Sequence, residues 1–363
     1  MTRRQTESVA IPSHPDLDAV VHLGPVADEL LDELPDLYCS LLSTRAWFGA
    51  FDQKTPTGVC LLAHPRHVIV FFADGDTVEI MNKAFAIAPE DVRRAGLAIF
   101  AAVPGTRRIH LEVLFDPREL QMPKRVLHEA DHLVIDLPRT VQAYDDGLDD
   151  RMRRNLRTLE DRLRREHPDV STQTMRPNIA GLRDLTTQFV DWNTARLRAR
   201  GSIPGSQTDQ ERRSKLFELV LQGGAQSLTT TIGDRVAAVQ FIFYVGDEAT
   251  VFAGSFDEQH DDVHLGLLST YWAVLETLRH GAKRCHLLWT SDSYSGRLGA
   301  HPVTATRLSV FPSNASRLWS LDEVREIVQR NVGQWGRMSY RRARRAVSER
   351  AERHGLDIGR QDR

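Results

Sequence analysis

The chain has 363 residues, of which 41% are hydrophobic and 26% charged, and its formal net charge is -2. That is enough material for two soluble cores, and the charge balance excludes a global electrostatic attraction to nucleic acid or to an acidic surface. The longest uncharged apolar runs, such as Val68 to Ala73, have the length of strands and fall far short of the ~20 residues of a membrane span.

In chain order, Met1-Thr2-Arg3-Arg4-Gln5 is not followed by the apolar stretch of a secretory signal. Val59 to Leu62, Val68 to Phe72 and Thr77 to Ile80 read as the strands of an antiparallel meander. Pro89-Glu90-Asp91 opens a helix whose apolar face is Val92, Ala95, Ile99 and Val103, and a strand from Arg108 to Phe115 follows. Asp149 to Glu166 is an amphipathic helix, with Met152, Leu156, Leu159 and Leu163 on one side and seven arginines around them. A helix from Gly181 to Arg200 buries Leu182, Leu185 and Phe189. Then come strands at Ser227 to Ile232, Val236 to Tyr244 and Ala249 to Ala253, a helix from His264 to His280, and a strand from Arg284 to Trp289. A C-terminal helix starts at Ser320 and runs into Arg341-Arg342-Ala343-Arg344-Arg345, and the last ten residues are expected to be loose.

The order of elements in the second half repeats that of the first, and so do local signatures. Gly75, Asp76 and Phe85 recur as Gly246, Asp247 and Phe256, and Gly105 to Leu111 is echoed by Gly281 to Leu287. A duplicated unit accounts for both.

Cys39, Cys60 and Cys285 are odd in number and far apart, which suits neither a disulfide framework nor a zinc knuckle; they read as reduced thiols of a cytoplasmic protein. The histidines lack ligand spacing with Cys or acids, so no metal is expected. No Gly-rich nucleotide loop or nucleophile elbow is present. Only five of the 47 basic residues are Lys; the arginine excess reflects either a GC-rich genome or recognition of phosphate and carboxylate, for which guanidinium is suited.

The chemistry of single residues leaves alternatives open. His286 and Asp292 have the makings of a general base and its orienting carboxylate, but His110 stands at the matching place of the first copy, which favours a structural role. Gln240, alone in an apolar strand, must find a partner; it lines a pocket or satisfies a bulge. Arg153, Arg154 and Asn155 clamp an anion or belong to a solvated face balanced by Glu160, Asp161 and Glu166.

Leu137-Pro138-Arg139, Tyr144, Arg151 to Arg157, and Gly296-Arg297-Leu298-Gly299-Ala300 resemble the tandem-domain acyltransferases of the GNAT superfamily: the exopolysaccharide- and cellulose-associated enzymes and, more distantly, the Fem-type peptidyl transferases. The resemblance covers about residues 130 to 312 and implies an α/β fold of two tandem GNAT-like domains, each a mixed, mainly antiparallel twisted sheet flanked by helices. It implies bounds of 1–137 for a degenerate first domain, 138–168 for a basic linking helix, 169–313 for the acyltransferase domain and 314–363 for a helical extension. An acyl-CoA co-substrate would lie along Phe252, Ala253 and Gly254, with its pyrophosphate at the helix start His264, Leu265 and Gly266. Asp261 and Asp262 beside that start would repel a pyrophosphate, and the family's Tyr-Lys pair is here Tyr294-Ser295. Tyr294 is the implied general acid, and Arg153, Arg154, Asn155, Trp192 and Arg196 match the acceptor side, with Gln240 beside them.

The expected activity is therefore N-acyl transfer from acyl-CoA to a small-molecule or peptide amine, by direct attack without a covalent enzyme intermediate. Two alternatives stand beside it: an aminoacyl-tRNA donor, as in the Fem-type relatives, and a catalytically inactive scaffold protein.

Overall fold

A computed structural model describes residues 9–12, 17–176, 178–199, 208–288 and 295–319. Met1–Pro312 forms one compact unit, and Ser313–Arg363 a second, in which the described part is the short helix Asn314–Trp319.

The first copy comprises β1 (Val9–Pro12), β2 (Ala19–Leu23), α1 (Asp28–Tyr38), the helical turn α2 (Arg45–Trp47) continuing through Phe48–Asp52, then β3 (Gly58–Leu62), β4 (His67–Asp74), β5 (Thr77–Ile80), α3 (Pro89–Ala102) and β6 (Arg108–Val113). After β7 (Lys124–Asp136) come α4 (Val141–Gly147) and α5 (Asp150–Glu166). The second copy comprises β8 (Ser171–Met175), α6 (Ile179–Ala199), α7 (Asp209–Gln222), β9 (Gln226–Ile232), β10 (Arg235–Val245), β11 (Glu248–Phe256), α8 (Leu265–Arg279), β12 (Arg284–Leu288) and β13 (His301–Val310). The two copies share a meander, a helix and a parallel exit strand: β3-β4-β5-α3-β6 in one, β9-β10-β11-α8-β12 in the other. Gly75 and Gly246, at φ 59° and 60°, make the corresponding hairpin turns that a side chain would strain.

Among the described residues the strands form a single 13-stranded sheet in the order β1-β2-β3-β4-β5-β6-β13-β7-β12-β11-β10-β9-β8. β13 crosses from the second copy to lie between β6 and β7, pairing with both. Neither β7 nor β13 is legible in the sequence. β7 carries His128, Glu129, Asp131 and His132 among its apolar residues, and its partners are remote along the chain.

Local patterns explain the rest. β6 alternates, with Ile109, Leu111 and Val113 buried and Arg108, His110 and Glu112 half-buried. α5 buries Met152, Leu156, Leu159 and Leu163, and α7 begins with a reciprocal capping box between Thr208 and Glu211. One core joins α1, α2, α3, α6 and α7 to both copies of the meander; the other packs α4, α5 and α8 on β10, β11 and β12.

Because strand partners project to the same face, the register defines a polar row across the middle of the sheet. It passes from His286 to Val134, along β7 through His132, Ala130 and His128, then across to Arg307 and Glu112. The exit strands of the two copies approach this row from opposite directions, since β12 and β13 both oppose β7, and β6 opposes β13. Leu288 ends β12 level with Pro302, and Val113 ends β6 level with Thr306.

Candidate active site

In the second copy, β11 and β12 are paired over three positions, Glu248 with Arg284, Ala249 with Cys285 and Thr250 with His286. Among the described residues β11 then continues to Phe256 on β10 alone, so that the two parallel strands part after Thr250 and His286. Opposite the Gln240–Phe241 step of β10, β11 carries one extra residue: Gly254 faces Gln240, Phe252 faces Phe241, and Ala253 faces neither. A bulge of this kind bends the strand and re-aims its backbone groups. Leu288, the last described residue of β12, has φ 51°, a conformation that costs a bulky residue about 1–2 kcal/mol.

α8 starts beside this splay. A Cβ on Gly266 would lie 2.4 Å from the Phe256 ring, so glycine lets the helix start rest on the end of β11. The guanidinium carbon of Arg196 stands 5.5 Å from the centre of the same ring. Gln240 donates from Nε2 to Ser269 Oγ at 3.0 Å, and Ser269 donates to Gly266 O at 3.2 Å. The Gln240 amide occupies the space a Cβ on Gly254 would need. Gln240 thus sits on the α8 side of the sheet, at the bulge. Gly254 is thereby tied through Gln240 and Ser269 to the helix start at Gly266, whereas Phe252 packs on Trp47, Phe51 and Phe243 in the larger core. At this start, Asp262 is engaged by Arg162 of α5 at 2.9 Å, which offsets one of the two carboxylates expected to repel a phosphate.

At the closed base of the splay, His286 Nε2 lies 2.5 Å from Glu248 Oε2, and Glu248 also pairs with Arg284. Glu248 is 6% exposed. A carboxylate on Nε2 fixes the proton there and leaves Nδ1 as the lone-pair nitrogen. His132, on the same face, is held neutral: burial, then the nearby His286, pushes its pKa down to about 4. Asp292 and Tyr294 lie outside the described residues, as do Trp289 and the helix expected from Ser320.

Glu248 escaped the sequence reading, yet the repeat held the signal. Thr77 is its counterpart: Arg108 donates to Thr77 at 2.8 Å, as Arg284 does to Glu248. The two matching histidines differ accordingly, since His110 Nδ1 meets Ser309 Oγ at 2.9 Å.

Arg153 is engaged by Asp146 and Asp150 at the first turn of α5, Arg154 is exposed and Asn155 half-buried. Of the acids expected to balance this helix, Glu160 accepts from Trp272 Nε1 at 2.6 Å and Glu166 pairs with Arg162. Trp192 is half-buried against the larger core. Burial pushes the Cys60 and Cys285 thiols up to about 12, which leaves neither as a thiolate at neutral pH. No described helix is long and apolar enough to cross a membrane.

Residues 150–295 match the family described as acetyltransferase (GNAT) domain. No curated protein matches the chain. Among solved structures it is similar to FemX, at 9% identity over 82% of this chain and 98% of that one, with a TM-score of 0.58. It is also similar to L-PGS from Bacillus licheniformis, at 12% identity over 85% and 98% of the two chains and a TM-score of 0.51. The C-terminal domain of a putative lysylphosphatidylglycerol synthetase from Agrobacterium fabrum matches at 11% identity, over 82% and 96%, with a TM-score of 0.50. The bulged strand with a helix start beside it fits this GNAT-domain match over residues 150–295, and the fold of the chain, with its duplicated meander, is like that of these solved structures.

Proposed function

We propose that the protein transfers an acyl group from acyl-CoA to an amine in the splay of its second copy. The observation that carries this reading is that, among the described residues, β11 from Val251 to Phe256 pairs with β10 alone, beside the start of α8. Backbone groups there, unpaired with β12 among the described residues, suit the amide arm and carbonyl of a thioester, and the helix dipole favours its phosphates. The neutral amine attacks the carbonyl carbon, the C–N bond forms and the C–S bond breaks. His286, oriented by Glu248, takes the proton that the amine loses, and Tyr294 gives one to the leaving thiolate.

The first copy, 1–137, acts as a scaffold. Its splay is closed by the bridge between Phe85 and Val113, and the space under α3 is lined by Ile80, Phe85, Ile87, Ile99 and Ile109. The active domain then spans 169–313 with the basic helix 138–168 as its link. The test is release of free thiol from acetyl-CoA in the presence of an amine panel. Turnover should depend on His286 and Tyr294; full activity in both His286→Ala and Tyr294→Phe would contradict the assignment.

An aminoacyl-tRNA donor is the second reading. Arg151, Arg154, Arg157, Arg164 and Arg165 on the outer face of α5 make no ion pair among the described residues, which favours it. Binding of charged tRNA should then weaken steeply with salt, and less steeply after Arg154→Ala and Arg157→Ala. An unchanged salt slope contradicts that role.

A further inference from the structure

Gln240 is 2% exposed, and its Oε1 is buried without a hydrogen-bond donor among the described residues. The other end of the amide is held. Ser269 gives its hydroxyl proton to Gly266 O, so it receives Gln240 Nε2 and leaves the carbonyl oxygen unpaired. A Cβ on Gly254 would collide with Oε1 and Nε2 alike. A residue of β10 thus places its amide above β11, at the level where β11 pairs with β10 alone among the described residues. Resting on the acyl-transfer reading, we propose that this oxygen accepts an N–H of the donor's amide arm, the pantetheine chain that carries the thioester.

A buried carbonyl oxygen left so is costly to the folded chain unless a ligand donates to it. The chemistry of the spot selects the donor. In the core under α8 the companions of Gln240 on β10 are Ala238 and Ile242, so a neutral acceptor stands in apolar surroundings, which suits a neutral amide rather than an ion. Gly254 lies roughly 10 Å along β11 from Thr250, where the pairing with β12 ends among the described residues. A thioester with its carbonyl near His286 would run its arm outward past this level toward the start of α8, and each amide of the arm brings an N–H that needs an acceptor. An aminoacyl-tRNA carries its acyl group on a ribose ester and has no such arm. The oxygen of Gln240 therefore favours the thioester donor over the ester.

The test compares wild type with Gln240→Met, an apolar side chain of similar length, by calorimetry with three probes: acetyl-CoA, acetylpantetheine as the arm without the nucleotide, and ADP as the nucleotide without the arm. Acetyl-CoA and acetylpantetheine should bind the variant about tenfold more weakly, while ADP binds both proteins alike. Equal affinity of the two proteins for acetyl-CoA, with binding to both, overturns the proposal and leaves the donor reading standing. A loss for ADP as large as that for acetyl-CoA overturns it too, because the substitution would then have moved the helix start. The unliganded variant should melt no lower than wild type, since removal of an unpaired buried oxygen offsets the lost bond to Ser269. A lower melting temperature would show that oxygen to be satisfied within the folded chain and overturn the proposal. Failure of all three probes to bind wild type would remove the donor reading, and the role of Gln240 with it.

Discussion

At the scale of residues, the second copy differs from the first by a carboxylate in place of a hydroxyl. Glu248→Gln preserves the shape at His286 but removes the charge that stabilises an imidazolium, so kcat should fall about 100-fold with the donor KM little changed. Initial rates of thiol release measure this, and an unchanged kcat contradicts the base assignment. His132 makes a different prediction. The unfolded chain takes up a proton at its ordinary value of 6.5, whereas the folded chain refuses it until about pH 4. This part of the stability is whole above pH 6.5 and is lost as pH falls toward 4, amounting to about 3 kcal/mol at the lower end. Urea unfolding at pH 7.5 and 4.5 should show a smaller acid loss in His132→Gln than in wild type, and equal losses would contradict it. His286 was legible only as a candidate base, against which its match to His110 in the first copy spoke. Its carboxylate was not, because Glu248 lies on another strand and only the pairing of Thr250 with His286 brings the two side chains within reach. The same holds for Arg162, which reads in sequence as one more arginine of a solvated face.

At the scale of elements, the meander, helix and exit strand of each copy were readable because their apolar periods are strong: β4 is a buried run, α3 and α8 have apolar faces, and Gly75 and Gly246 mark the turns. β7 and β13 were not, because each is half polar and gains its order from partners far away in the chain. Gly266 ties helix to strand by the absence of a side chain. In Gly266→Ala, a methyl group 2.4 Å from Phe256 must displace the ring or the helix start, at a cost of about 1–3 kcal/mol. Thermal melting should report the loss, and an unchanged melting temperature would show that the contact yields freely. Arg162→Ala acts between α5 and α8. The pair with Asp262 is largely exposed, so stability should change by less than about 1 kcal/mol. The anionic donor should nonetheless bind severalfold more weakly, because Asp262 is left uncompensated at the helix start. Equal donor affinity, measured by calorimetry, would remove Arg162 from that site.

At the scale of the molecule, the two copies share one sheet and one of its cores. β13 binds the end of the second copy between β6 and β7, while α1 and α2 of the first copy join α6, α7 and β10 of the second in a common cluster. Residues 1–312 should therefore unfold in a single cooperative transition, and two separated calorimetric peaks within that unit would contradict the interlock. The interlock also gives the polar row its fixed place between two opposed splays, one closed by Phe85 and one, beside α8, unbridged among the described residues. The central claim is that the open splay holds an acyl-CoA, and thermal unfolding with acetyl-CoA tests it most directly. At about 100 times its dissociation constant the ligand should add about 2.7 kcal/mol, raising the melting temperature by a few degrees. An unmoved melting temperature, with acetyl-CoA and with longer acyl chains alike, would contradict the claim.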